Sequence, residues 1–334
     1  MNSILVADRI PTHFDSPPNA KTLELLEDDY FDYLLEGLST LHPAVIHYDG
    51  PKEFIDNIKR HKNDVILPLY SGELSRTRKA LVPSICEAYG LAYIGADPYT
   101  HTISQDKYTS NRLANRLGLP TPCASLVESE SDLPLIQTLR VPIVIKPNFE
   151  GGSIGISSDN LVRTHAEAKK LASFLLSTFQ QPVIAEEFIE GDEVSILIVG
   201  NKRKIILCEA VRIRCFLDEQ EVKLDKQIFS MDLKKTNRQI SLNEEIATHE
   251  IPEAILSLCI RLFKSLDKVD IIRIDGRLTD DKFTFIELSP DIYLGPHSSF
   301  EIAYRQKNKA YRDLLQDLTY LAIEHRERQS ANSK

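Results

Sequence analysis

The stretch Asp270-Ile271-Ile272-Arg273-Ile274-Asp275-Gly276-Arg277-Leu278, followed after a short polar break by Phe283-Thr284-Phe285-Ile286-Glu287-Leu288-Ser289, alternates polar and apolar side chains with a period of two. That period marks half-buried strands. In the first strand it puts Arg273, Asp275 and Arg277 on one face, with Ile272, Ile274 and Leu278 on the other. In the second it puts Glu287 and Ser289 with Phe283 and Phe285, opposite Ile286 and Leu288. A hairpin closed by a three-residue turn, Asp280-Asp281-Lys282, sets Asp275 across from Glu287 and Arg273 across from Ser289. Two carboxylates then meet beside an arginine. Like charges directly opposite are destabilising unless a proton, a salt bridge or a divalent cation lies between them. Hard oxygen ligands with room for phosphate and water suit Mg²⁺. The plain alternative is a surface hairpin whose acids pair with Arg273 and Arg277, and the rest of the chain decides between the two.

Lys146 ends an apolar run, Pro142 to Pro147, and Glu150-Gly151-Gly152-Ser153-Ile154-Gly155 follows at once. A lysine at a strand end, beside backbone amides freed of side chains, can hold nucleotide phosphates. The lysine precedes the glycines, so this is not the phosphate loop that ends in Gly-Lys-Ser/Thr. Ser153 also completes Gly-x-Ser-x-Gly, the pattern of a hydrolase nucleophile elbow. That elbow must open a helix, whereas Ser157-Ser158-Asp159-Asn160 continues here with loop chemistry, and His249 and His297 are simpler as helix-start or loop residues than as triad partners.

Length and composition frame these motifs. With 334 residues, 42% apolar and 27% charged, the chain is a soluble protein of two or three domains. Met1 to Arg9 lacks an export signal and no run approaches a membrane span, so a cytoplasmic location is expected. A net charge of -9 argues against a broad nucleic-acid footprint. Five scattered cysteines argue against a disulfide framework or a zinc site. The first hundred residues read as strands and helices in turn (Ile4 to Ala7, Thr22 to Leu41, Ala44 to Tyr48, Glu53 to Arg60, Val65 to Leu69, Lys79 to Tyr89), hence a parallel-sheet α/β domain. Asp8-Arg9-Ile10-Pro11 stands where a dinucleotide fold would place its glycines. Beyond Pro98 the expected elements are helices over 106–117 and 165–179, strands over 142–147, 183–187, 193–199 and 204–214, and a helix over 252–266. The densely charged stretch Leu217 to Glu245 reads as a functional loop or lid. A closing helix over 308–325 precedes a frayed tail, 329–334.

Taken together, Ser104-Gln105-Asp106-Lys107, the Gly118 to Pro122 turn, Lys146-Pro147 with its glycine loop, Glu186-Glu187-Phe188-Ile189-Glu190-Gly191-Asp192-Glu193, and Arg273-Ile274-Asp275 followed by Glu287 resemble the ATP-grasp ligases, and among them the D-alanine-D-alanine ligases. The ordered series runs from about Asp97 to Gln306. The resemblance implies an α/β and α+β ATP-grasp fold: an N-terminal parallel-sheet domain over 1–97, a central subdomain over 98–185 and a C-terminal antiparallel-sheet catalytic subdomain over 186–328. It implies ATP and Mg²⁺ or Mn²⁺ as cofactors. Lys107, Lys146 and Ser153 would contact the phosphates, with Lys223 or Lys226 of the lid reaching the γ-phosphate. Glu186, Glu187, Phe188 and Ile189 would lie at the adenine and Glu193 at the ribose. Asp275, Glu287 and Ser289 would face the metal. Arg273, with Ser153, would be catalytic, stabilising charge as a substrate carboxylate is phosphorylated and an amine opens the acyl phosphate.

The chain departs from that family in three places. Ser289 stands where the family has an asparagine ligand. The N-terminal serine and glutamate motif that grips the first D-alanine has no match around Asp8 to Ser16. Tyr70-Ser71-Gly72-Glu73-Leu74-Ser75-Arg76 replaces the second N-terminal signature. D-alanine is therefore not the expected donor. Ser298 and Ser299, at a helix start with Glu301 completing a capping box, fall where the family holds the acceptor's carboxylate. Arg76 and Arg78 are candidates for a substrate carboxylate. The expected activity is ATP-dependent amide formation between small amino-acid-like substrates. Cyclisation of one substrate, or a non-catalytic nucleotide-binding module, are the alternatives. A homodimer through the first domain is expected by analogy; nucleic acid and membrane partners are not.

Overall fold

The computed structural model describes residues 1–9, 25–72, 76–218, 220–223, 225–226, 228, 240–280 and 282–332. β1 (Ser3–Ala7), α1 (Asp28–Ser39), β2 (Val45–Tyr48), α2 (Pro51–Asn57), β3 (Val65–Leu69), α3 (Leu81–Ala88) and β4 (Ala92–Tyr93) build a first sheet. Its order is β2-β1-β3-β4 and every pair is parallel. The helix expected from Thr22 begins at Asp28; Leu26 instead bridges Arg9, and residues 10–24 lie outside the described ones.

Next come α4 (Pro98–Gln105), α5 (Lys107–Arg116), β5 (Ala124–Val127), β6 (Ile143–Pro147), β7 (Leu161–Val162), α6 (His165–Phe179) and β8 (Val183–Glu187). The strands form an antiparallel sheet, β5-β8-β6-β7. α6 starts where expected because Thr164 and Glu167 form a reciprocal capping box. α4 was not expected, although Asp97 caps it through the Thr100 amide and Pro98 opens it.

The third sheet takes β9 (Asp192–Gly200), β10 (Ile205–Leu217), β11 (Gln220–Val222), β12 (Ile240–Ile246), then after α7 (Glu253–Ser265) the hairpin β13 (Ile271–Thr279) and β14 (Lys282–Ser289). Its order is β11-β10-β9-β13-β14, with β12 also paired to β10. α8 (Ser299–Gln306) and α9 (Tyr311–Asn332) complete the chain.

Three expectations need correction. The charged stretch 217–245 is not all loop: β11 and β12 both pair antiparallel with β10, so backbone hydrogen bonding overrides the polar composition. α9 continues to Asn332, so 329–332 is helix rather than frayed tail. In the hairpin, Thr279 pairs with Lys282, one residue tighter than the expected turn, and a bulge at Ile286 restores the register so that Asp275 still faces Glu287 and Arg273 faces Ser289. The bulge sends Phe283 and Phe285 to the face opposite Glu287. Both are fully buried against Ile274, Leu278 and Leu288.

The first and third sheets are fastened by buried polar contacts. Lys268 Nζ donates to Asp270 Oδ2 and to the Gly95 carbonyl, both at 2.6 Å, with Lys268 and Asp270 side chains 2% exposed. The Asp97 amide donates to the Lys268 carbonyl at 2.8 Å. Of α9, Leu314, Leu315, Leu318, Leu321 and Ala322 enter a core that also holds Leu5, Leu67 and Ile94 of the first sheet and Leu197, Val199 and Ile271 of the third.

Two stability predictions follow from this packing. A Cβ on Gly276 would lie 2.3 Å from Phe283 Cζ and 2.5 Å from the Thr284 carbonyl oxygen. Gly276→Ala should therefore cost about 1–3 kcal/mol, read as a lower urea midpoint; an unchanged midpoint would show that the ring moves aside freely. His325 on α9 has its pKa pushed down to about 4, by burial first and then by Lys268. Unfolding releases the ring to its ordinary pKa of about 6.5, so the unfolded chain binds the proton more readily in between. This contribution to stability is complete above about pH 6.5 and is lost as pH falls towards 4. His325→Gln should flatten the decline of the urea midpoint across that window, and parallel curves for the two proteins would refute it.

Candidate active site

Lys146 lies in β6 with Ile184 of β8 as its register partner, and the strand alternation brings its side chain to that of Glu186. Nζ donates to Glu186 Oε1 at 2.6 Å, and each side chain is only 6% exposed. Glu187, one residue on, points the other way. It accepts from the Arg140 backbone at 2.9 Å and from its guanidinium at 2.8 Å, which holds its carboxyl below the usual range against the opposing effect of burial. The Phe188 amide then donates to the Pro142 carbonyl at 2.9 Å, so the segment into Phe188 and Ile189 stays attached to the end of β6.

Lys107 is the first residue of α5, which is capped by Asp106 through the Thr109 amide. Its ammonium donates to Glu287 Oε1 and to the Glu150 carbonyl, both at 2.6 Å. Burial would raise the Glu287 pKa, but Lys107, Lys146 and Arg273 outweigh it and hold the group below the usual carboxylate range. Across the hairpin, Arg273 grips Asp275 with two hydrogen bonds of 2.7 and 3.0 Å, and Asp275 first, then Glu287, keep its guanidinium charged against the opposing effect of burial. Ser195 of β9 donates a third bond to Asp275, 2.7 Å long. The sequence reading passed over Ser195, although the same period of two places it with Glu193. Glu193 itself accepts from Arg277 at 2.8 Å, and Arg277 also donates to the Gly191 carbonyl.

The glycine loop is a tight turn with left-handed backbone at Gly152, Ser153 and Gly155. A Cβ on Gly155 would strike Phe179 and Pro147 within 2.8 Å, so the glycine lets the loop lie close on the end of β6. A single 3₁₀ turn follows, Ser158–Asn160, and no α-helix opens at Ser153. The elbow geometry of a serine hydrolase is therefore missing. Arg78 approaches Glu150 at 3.4 Å, while Arg76 is exposed with its guanidinium 5.4 Å from the centre of the Phe149 ring. Ser298 caps α8 through the Glu301 amide, but Glu301 returns its bond to His297 rather than to Ser298, one residue earlier than a capping box requires. Ser299 is buried beside it. Lys223 and Lys226 are exposed; the lid expectation falls in part on residues 219, 224, 227 and 229–239, and the replaced N-terminal signatures in part on 10–24 and 73–75, all outside the described residues.

Among the described residues no three His, Cys, Asp or Glu side chains cluster as a metal site. Asp275, Glu287 and Ser289 nevertheless fit Mg²⁺, which is commonly held by one or two carboxylates and completes its shell with phosphate and water. Three cations and two carboxylates converge here, an arrangement suited to clamping phosphoryl oxygens. Asp291, just past β14, is held far below the usual carboxylate range: burial opposes this, but Lys79 at 3.0 Å and His101 at 3.2 Å prevail.

The fold is shared with the ATP-complexed D-alanine-D-alanine ligase of Bacillus anthracis (TM-score 0.71, 19% identity, 98% of this chain and 99% of the other). It is also shared with the VanG D-Ala:D-Ser ligase of Enterococcus faecalis (TM-score 0.69, 18% identity, 96% and 99%). In sequence the chain is similar to the D-alanine-D-alanine ligases of Geobacillus thermodenitrificans (28% identical over 281 residues, 80% of this chain and 72% of the relative) and Aquifex aeolicus (24% over 281 residues, 84% and 90%). Residues 117–320 match the family model described as the D-ala D-ala ligase C-terminus. The chain thus belongs to the D-alanine-D-alanine ligase family of the ATP-grasp fold, and is an ATP- and Mg²⁺-dependent, ADP-forming carboxylate-amine ligase.

Proposed function

We propose that this ligase joins a donor other than D-alanine to a small amine-bearing acceptor, with the chemistry carried by Lys107, Lys146, Arg273, Asp275 and Glu287. The observation that supports this most directly is the pairing of Lys107 with Glu287 and Lys146 with Glu186, each at 2.6 Å in a largely buried setting. Buried ammonium groups paired with carboxylates can exchange those partners for phosphate oxygens at little further desolvation cost. Lys107 and Lys146 bind and orient the phosphates, and Ser153 contributes from the glycine loop. Glu186 and the chain from Glu187 to Ile189 border the adenine, and Glu193 the ribose. Asp275 and Glu287 would hold Mg²⁺, which would supply charge neutralisation for the phosphoryl oxygens. Arg273 adds a fixed positive charge where the oxyanion develops when the amine attacks. Ser289 would offer that ion a neutral hydroxyl oxygen in place of an amide.

The donor end supports a departure from D-alanine. Asp8 gives both carboxylate oxygens to the Ser71 and Gly72 amides, each at 2.8 Å, so it braces a loop rather than waiting for a substrate ammonium. Arg76, Arg78 and Lys79 make that end basic, which supports a donor that carries a carboxylate besides the one being activated, with Arg76 and Arg78 as its partners.

Two measurements test this reading. Lys146→Ala should weaken ATP binding about 10- to 100-fold by calorimetry, the loss expected for one charged hydrogen bond, with circular dichroism confirming the fold; equal affinity would remove Lys146 from the phosphate site. A phosphate-release screen with Mg²⁺ and single or paired D- and L-amino acids should find a donor faster than D-alanine. A D-alanine rate equal to or above every other would overturn the donor assignment.

A further inference from the structure

Glu244 belongs to the stretch that reads as lid, yet it sits in β12 opposite Ile213 of β10. Register carries its face across the sheet, since Ile213 neighbours the row of Glu193 and Arg277, and Val211, Ser195 and Asp275 form the next. Glu244 thus shares the active-site face. It hydrogen-bonds the buried Ser299 hydroxyl at the start of α8, and feels the charges of Arg273 and Asp275. Its second oxygen, Oε2, is buried and has no hydrogen-bond partner among the described residues. Burial lifts its pKa, Asp275 adds to the rise, and Ser299 and Arg273 offset only part of it. Arg273 already donates to both oxygens of Asp275. A buried carboxylate oxygen left without a donor costs free energy until a cationic or hydrogen-bonding group reaches it.

We infer that Glu244 Oε2 receives the ammonium group of the acceptor, so that Glu244 is a specificity-determining residue for the amine partner of the reaction. This rests on the ligase reading above. Arg273 feels the charges of Asp275, Glu287 and Glu244 alike, and Glu244 is tied to Ser299 of α8. An ammonium drawn to Glu244 would be held next to the guanidinium that stabilises the carbonyl oxygen under attack. Ser299, by donating to Glu244, spends its hydroxyl on the protein's own carboxylate. The acceptor is then gripped by its nitrogen and needs no carboxylate at Ser299.

The test is a competition between nucleophiles. Hydroxylamine is largely neutral near neutral pH and intercepts an acyl phosphate without an ammonium contact. With ATP, Mg²⁺ and a fixed mixture of the common amino acids in D and L forms, each enzyme partitions its acyl phosphate between hydroxamates and amides, and mass spectrometry reads the ratio. Glu244→Gln should shift that ratio at least 10-fold towards hydroxamate while total hydroxamate stays within about twofold, the shift of about 1.4 kcal/mol that a lost charged contact exceeds. Glu244→Asp, which keeps the charge, should fall between Gln and wild type and serves if the Gln variant folds poorly. A parallel drop in both products would make Glu244 a positioning residue for Arg273 and overturn the inference, as would an unchanged ratio. Absence of both products from the wild type would instead overturn the ligase reading, and this inference with it.

Discussion

The repulsion between Asp275 and Glu287 governs the site. Directly opposed strand residues lie about 5 Å apart, where two unit charges at an effective dielectric of about 20 repel by roughly 3 kcal/mol. The chain relieves it by giving each acid its own cation, Arg273 to Asp275 and Lys107 to Glu287. The two cations come from different elements, a neighbouring strand position and the start of α5. The hairpin alone could not quiet both acids, so the site exists only where the central and C-terminal sheets meet. Under the proposed function, nucleotide binding is an exchange of charges: Lys107 leaves Glu287 and Lys146 leaves Glu186 for phosphate, and Asp275 and Glu287 would then hold a divalent ion. A chain arranged in this way has little use for ATP without the metal.

The same economy explains why buried charge is tolerated nearby. Isolated buried ion pairs often contribute nothing to stability, because desolvation offsets their attraction. Lys146 with Glu186, and Lys107 with Glu287, are better understood as groups kept ready than as supports for the fold. Lys268 with Asp270 differs: its hydrogen bonds run to the backbone of Gly95, and Asp97 adds further contacts to Lys268, so it ties two sheets together at a point removed from the phosphate cations.

Much of this was legible in the sequence because it depends on period and spacing. The alternation of Asp270 to Leu278 gave the strand and its polar face, and the order of Lys107, Lys146, Glu186, Arg273, Asp275 and Glu287 gave the fold family. Three features could not be read in that way. The bulge at Ile286 carries no glycine or proline signal, being a response to packing of Phe283 and Phe285 in three dimensions. β12 was hidden because its residues are as polar as a loop's, and what makes them a strand is an edge of β10 far away in the count. Glu244 was lost with it, since its meaning comes from Ser299 and Arg273, 55 and 29 positions further on. α4 is a different case: Asp97 and Pro98 announced it, but its few apolar residues did not.

The bulge in β14 divides one short strand into two territories. Before the bulge Phe283 and Phe285 answer to the core; beyond it Glu287 and Ser289 turn to the opposite, polar face while Leu288 stays in the core. Between them Ile286 takes up the odd residue that would otherwise put an aromatic ring where a carboxylate stands. The turn can therefore drift in sequence under selection for packing alone, while the acid end remains under selection for chemistry, and neither history constrains the other. A strand built as a flat ladder would have bound the two together, and every change at the tip would have been felt at the metal.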